Sequence, residues 1–389
     1  MALDFTTGTL DPRVTVTRAL NTATAINSSG FIAIVNANLP RFDYNPNTLA
    51  PRGLLIEEAR TNLFIQSQFQ GNWTANAGTT TFLGTYVTSP DGTSNGRILN
   101  DTSAAAAAYV FQGVSFTSGT VYTLSVYVKK GVSRYLALTS FTQSGRALFD
   151  LNNYSLSSVT GIVTSATITS VGGGWYRCTA TMTASATGSN NLGFGDFEAG
   201  PTGDLYYIWG AQVEAGAFAT SYIPTTTTSL TRNRDDVSMT GANFSSWYQA
   251  GSGTLQAIMT RYPVATGFPR LVSLSDNTVN NEIAILNFNP SAGVGVGVTN
   301  GGATQASTFI SLTGNEENMA FRFGTNDFAL SLNSSAVTTD TSGTVPTVSQ
   351  MLIGTGPLAS SPVCNGWYKK IFFFNNKLIS NELRSVSKL

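Results

Sequence analysis

The residues whose types and spacing raise acid–base chemistry are three adjacent carboxylate pairs, Glu57-Glu58, Asp235-Asp236 and Glu316-Glu317, and one spaced pair, Asp196 and Glu198. Glycoside cleavage needs an acid and a nucleophile or base placed across one bond. Neighbours in a strand point to opposite faces, so neither member of an adjacent pair is the other's partner, and these acids are expected as solvated residues at turns or strand ends. Asp196 and Glu198 do share a face, with Phe194, Phe197 and Tyr206-Tyr207 nearby in sequence. A shallow sugar platform, a Ca²⁺ held by oxygens, or ordinary exposed acids all fit that pattern. Histidine is absent, which excludes Ser-His-Asp and Cys-His nucleophiles and His-ligated metals. A literal G-x-S-x-G at Gly92-Thr-Ser94-Asn-Gly96 follows Pro90-Asp91 in a turn signal with no helix after it, so it lacks the setting of a nucleophile elbow. The stretch Gly293-Val-Gly-Val-Gly297 lacks nucleotide-motif spacing, and no Gly-Lys pair occurs. No catalytic residue and no cofactor is expected, Ca²⁺ being the one metal left open.

Binding chemistry is better supplied. A tryptophan ring stacks on the C–H face of a sugar, and the chain has five: Trp73, Trp175, Trp209, Trp247 and Trp367. If Tyr176, Cys178, Ala180 and Met182 face a core, then Trp175, Arg177 and Thr179 face outward, setting an aromatic ring beside a fork of fixed donors. Trp175, Arg177, Asp196 and Glu198 are therefore the candidate glycan residues. The alternative for Trp175 is that it packs under a loop or against the next module, in which case its burial ends the proposal.

Positioning these residues falls to β-strands. Lys and Arg number 21, as do Asp and Glu, and charged residues make up 11 % of 389, less than half the usual ~25 %. Zero net charge recruits neither nucleic acid nor an anionic membrane. The surface must be covered by Thr, Ser, Asn and Gly, a palette suited to pleated strands and tight turns. Period-two alternation runs through Val121 to Val128 and Trp175 to Met182, and further strand candidates are Arg134 to Phe141, Asp204 to Val213, Gly253 to Tyr262, Asn281 to Phe288, Met319 to Phe323, Asp327 to Asn333 and Trp367 to Asn375. Short strands without long helices predict an all-β chain of antiparallel sandwiches; the one helix expected follows Ser380. Cys178 and Cys364 read as two buried reduced thiols. The longest apolar run, Ala104 to Phe111, is far short of the ~20 residues of a membrane span. Met1-Ala-Leu-Asp4 has no basic or apolar leader region, so a chain made in the cytosol is expected.

The chain divides into a docking segment over 1–60, a sandwich over 61–224, a polar linker over 225–233 and a second sandwich over 234–389. The first unit is marked by Pro12-Arg13, Pro40-Arg41 and Pro51-Arg52. Proline there predicts short strands and extended loops laid on a neighbouring surface, with Arg13, Arg41 and Arg52 as anchors on another module or protein. Removing residues 1–55 is expected to leave both sandwiches folded.

The strings Leu3-Asp-Phe-Thr-Thr-Gly-Thr-Leu-Asp-Pro-Arg13, Pro40-Arg-Phe-Asp-Tyr44 and Pro51-Arg-Gly-Leu-Leu-Ile-Glu-Glu-Ala-Arg-Thr-Asn-Leu63 resemble the opening of tailed-bacteriophage virion proteins described as head-fibre, tail-fibre or tail-associated. Phe69 and Trp73, Gly174-Trp-Tyr-Arg177, Ile208-Trp-Gly-Ala-Gln-Val-Glu214 and Ser221-Tyr-Ile-Pro-Thr225 are similar to a carbohydrate-binding-module jelly roll. Arg234-Asp-Asp-Val237, Phe244-Ser-Ser-Trp-Tyr248, Asn326-Asp-Phe-Ala-Leu330 and Gly366-Trp-Tyr-Lys-Lys-Ile-Phe-Phe-Phe374 resemble concanavalin A/laminin G-like sandwiches. The resemblance implies a non-enzymatic structural component of the virion, made in the host cytoplasm, with other capsid or tail proteins, a host-surface glycan and copies of itself as partners. Neutral, hydroxyl-rich faces suit neutral sugars. Two alternatives stay open: a decoration protein with no glycan ligand, and a polysaccharide-degrading tail enzyme.

Overall fold

A computed structural model describes residues 1–20, 22–104, 107–196, 202–262, 267–288, 293–311 and 314–389, the side chain of residue 288 excepted. Alternating apolar residues build two antiparallel β-sandwiches, as the sequence pattern requires. In the first, one six-stranded sheet runs in the order Val163–Ser170, Tyr176–Thr183, Val121–Lys130, Gly203–Ala215, Ser94–Asp101, Thr80–Thr88. The facing sheet has the order Ser155–Gly161, Gly145–Asp150, Tyr135–Ser140, Gly188–Asp196, Ala108–Phe116, Thr74–Ala75. Leu124, Val126, Cys178, Ala180 and Met182 from one sheet meet Val110, Leu136, Leu138, Leu192 and Phe194 from the other, all fully buried.

The second sandwich packs an eight-stranded sheet centred on Ser252–Arg261 and Gly366–Phe374 against a seven-stranded sheet centred on Arg270–Ser275 and Gln350–Ile353. Residues 1–60 do not stand apart from it. Ala2–Asp4 and Pro51–Ile56 both pair with Gly366–Phe374, Phe42–Tyr44 extends the same sheet, and Thr15–Thr17 pairs with Asp236–Thr240 at the edge of the other. Leu3, Phe5, Val14, Val16, Leu54 and Ile56 enter the same core as Leu255, Ile371 and Met351. The expectation of a segment removable without harm is thereby corrected: proline limits strand length, yet the short strands carry core side chains. The polar stretch 225–233 is likewise no free linker, because Leu230–Arg232 pairs with Arg60–Asn62 and Arg232 is fully buried.

The helix Ser380–Val386 lies where expected, with the Glu382 carboxylate accepting from the Ile379 N–H at 2.8 Å. Cys178 and Cys364 are free, buried thiols in different cores.

Candidate ligand cleft between the sandwiches

Outward-facing residues of the hairpin Val163–Ser170/Tyr176–Thr183 form cross-strand rows: Ser165 opposite Thr181, Thr167 opposite Thr179, and Thr169 opposite Arg177. The adjoining strand continues each row with Thr123, Ser125 and Tyr127. Hydroxyls meet within the rows, Thr167 Oγ1 to Thr179 Oγ1 at 2.7 Å and Thr123 Oγ1 to Thr181 Oγ1 at 3.1 Å. The Arg177 guanidinium lies 5.2 Å over the Tyr127 ring and donates to Thr220 O at 2.7 Å and Ser125 Oγ at 3.0 Å.

This hydroxyl wall and an aromatic one line the same cleft of about 470 Å³. Trp367, on the strand Gly366–Phe374, and Tyr262, just past the neighbouring strand Ser252–Arg261, meet edge to face at 4.8 Å, and Phe218 of the first sandwich packs edge to face on Tyr262 at 5.5 Å. Residues 1–60 supply the third side. Asp43 Oδ1 accepts from the Ile26 N–H at 2.6 Å and its Oδ2 from Trp367 Nε1 at 2.8 Å, while Arg52 lies 4.7 Å over the Trp367 ring. Burial raises the Asp43 carboxyl above the usual range, more than the Ile26 N–H, Arg52 and Trp367 lower it. Aromatic faces opposite hydroxyl rows, with a few fixed donors and one acceptor, form the lining a polyol needs. Among the described residues Asp43 is the only carboxylate on that lining.

Beneath the cleft lies a buried ionic cluster. Arg41, fully buried, pairs with Glu57 at 2.7 Å and with Asp235, and donates to Ser221 Oγ at 2.9 Å. Arg18 pairs with Asp235 at 2.7 Å, and Arg232 donates to Glu58 O at 2.6 Å. Burial pushes the Glu57 carboxyl up, but Arg232, Arg41 and the Ser221 hydroxyl outweigh it and hold the group at about 2.

The sequence-derived candidates fare unequally. Trp175 is corrected: only 3 % exposed, it donates to Thr88 O at 3.1 Å and packs with Tyr127, Trp209 and Tyr222. The alternation itself is right, but the outer face at that end is covered by Ile32 from the N-terminal hairpin. Asp196 lies in the opposite sheet, buried and accepting from Ser133 Oγ at 2.6 Å, so it does not join Arg177. Glu198 falls outside the described residues. Among the described residues no group of three or more Asp, Glu or Cys gathers to hold a metal. Of the anchors, Arg41 ties residues 1–60 to both sandwiches, Arg52 reaches Trp367, and Arg13 pairs with Asp11, two residues away, at 2.7 Å. The acidic pairs are corrected as well: Glu57, Asp235 and Glu317 are buried, while Glu58, Asp236 and Glu316 face outward. Trp367 was visible as one of five tryptophans; Tyr262 and Phe218 were not, since only strand pairing brings them to it.

No protein-family profile matches the chain, and no curated protein sequence matches it. Among solved structures it is similar to the CBM40 module of Ruminococcus gnavus IT-sialidase, at 15 % identity and TM-score 0.32 over 36 % of this chain and 84 % of that one. The same module bound to α2,3-sialyllactose gives 15 % identity and TM-score 0.30 over 36 % and 83 %. Domains LG4-5 of the mouse laminin α1 chain give 11 % identity and TM-score 0.25 over 74 % and 92 %.

Proposed function

We propose that this chain is a non-catalytic structural protein of a tailed-bacteriophage virion, at head or tail, that holds a host-surface glycan in the cleft between its two sandwiches. The virion assignment is supported by the opening strings of the sequence. The glycan assignment is carried by one observation: Trp367 and Tyr262 line the same cleft as rows of serine and threonine hydroxyls. Binding by one copy is weak, and many copies on one particle turn it into adhesion. Glycan arrays probed with the purified chain and with whole particles test this. The wild-type chain is expected to retain saccharides, and Trp367→Ala to lose them by about tenfold or more, the yield of a stacked aromatic ring, with an unchanged circular dichroism spectrum. Absence of any retained saccharide overturns the glycan half; failure of antibody to this chain to label particles overturns the virion half.

A second reading, a decoration protein that contacts only other proteins, is favoured by the exposed apolar side chains Leu20, Phe31, Ile34, Leu39 and Leu49, all within one short stretch of the N-terminal unit. Soluble particles lacking glycan affinity but binding the chain at this stretch would select it.

A further inference from the structure

The chain as a whole is neutral and poor in charge, but its cleft is not neutral. Among the described residues its charged lining groups are Arg52, Arg177 and Asp43, two cations against one anion. Asp43 is committed: one oxygen accepts from a backbone N–H and the other from Trp367 Nε1, with Arg52 Nη1 farther off at 3.4 Å. Arg177 is in a different state. A guanidinium has five N–H donors. Among the described residues Arg177 directs two, to Thr220 O and Ser125 Oγ, neither of them charged. Its Nε is shielded from solvent and has no hydrogen-bond partner among the described residues. An incompletely paired cation beside low-dielectric aromatic walls attracts an anion far more strongly than it would in water. Its fork geometry matches a carboxylate or a phosphate, either of which takes two parallel N–H bonds.

We infer that the saccharide held in the cleft carries an anionic substituent, a carboxylate or a phosphate, seated against Arg177, while its sugar ring lies on the Trp367 side. This rests on the glycan reading of the cleft and narrows its ligand from sugars in general to acidic ones. The hydroxyl rows Ser165/Thr181 and Thr167/Thr179 continue away from Arg177 along the same face, which places neutral hydroxyl contacts beyond the charged end.

The test is an array of matched oligosaccharides, each neutral hexose oligomer beside its uronic-acid and its 6-phosphate counterpart, probed with the full chain. Acidic members are expected to bind about ten- to a hundredfold more tightly than their neutral counterparts, the yield of one charge-assisted pairing, and the preference shrinks as salt is raised. Arg177→Gln is expected to erase the preference of acidic over neutral members. Arg52→Gln, which keeps Arg177 and its backbone contact intact, provides a second variant that reduces it. Uronic or phosphate members winning identifies the substituent. Equal binding of acidic and neutral members, or a preference untouched by both variants and by salt, overturns this inference and leaves the glycan reading standing. Inorganic phosphate alone binding as tightly as the sugar phosphates overturns the saccharide part. If no member binds, or binding ignores Trp367→Ala, the cleft reading itself falls.

Discussion

Glu57 and Glu317 show how far residue type alone carries. Each is one of two adjacent acids and each is fully buried against arginine, Glu317 on the inward face of the strand Glu316–Gly324 and Glu57 just past the end of the strand Pro51–Ile56. Alternation made it legible that one member of each pair points the other way; it did not show that the inward side is packed. Their electrostatics are opposite. Glu57 is held at about 2 because two guanidiniums and a hydroxyl outweigh its burial. Glu317 is pushed up to about 7, since burial outweighs its contact with Arg261 at 2.5 Å. By linkage, stability from Glu57 is present above about 4.5 and is lost as pH falls from there to about 2. For Glu317 the sign reverses: between about 4.5 and 7 the folded state holds a proton that the unfolded chain has released, so stability falls as pH rises through that window. A shift of this size corresponds to a decline on the order of 3 kcal/mol. Urea unfolding midpoints measured across pH are expected to decline over that window, and Glu317→Gln to flatten the decline without altering the acid limb. A midpoint that rises from pH 5 to pH 7 contradicts this.

At the scale of elements, strands with one buried face were readable and strands without one were not. Val121–Lys130 and Tyr176–Thr183 alternate because Leu124, Val126, Cys178 and Ala180 meet the core while their neighbours do not. Ser155–Gly161 is exposed at every position, so no hydrophobic period marks it. Gly293–Asn300 reads as a glycine-rich stretch, yet Val294, Val296 and Val298 are core residues of a strand. Pairing register left no local trace at all, and register builds the aromatic wall by setting Leu55 opposite Trp367. Gly53 permits that pairing. It has φ of +109°, and a Cβ there would stand 2.1 Å from the backbone oxygen of Tyr368, a contact that forces the strand Pro51–Ile56 away. Gly53→Ala is expected to lower stability by about 2 kcal/mol or more, read as a drop in the urea midpoint, and to weaken saccharide binding with it. A midpoint unchanged by Gly53→Ala would mean the strand shifts without cost.

At the scale of the whole molecule, two sandwiches were legible from strand spacing, whereas the way residues 1–60 join them was not, because the joining contacts are remote in sequence. Arg41 and Asp235 are 194 residues apart and Asp43 and Trp367 are 324 apart; no window of sequence contains both members of either pair. The same remoteness hides the cleft from the sequence, since each of its three sides is unremarkable until packed against the others. Deleting residues 1–55 removes Leu3, Phe5, Val14, Val16 and Leu54 from the core of the second sandwich. At about 2 kcal/mol for each buried side chain, the loss is about 10 kcal/mol, as large as the stability of a typical domain. It also takes Arg18 and Arg41 from Asp235, leaving that buried carboxylate, among the described residues, with Arg232 at 3.9 Å, and a buried charge stripped of close partners is strongly destabilising. The first sandwich, whose core draws on none of those residues, is expected to survive. Limited proteolysis of the truncated chain should therefore degrade residues 234–389 and spare a fragment near 61–224. A truncated chain whose second half resists protease as the full chain does would show that residues 1–55 merely rest on a sandwich that folds without them.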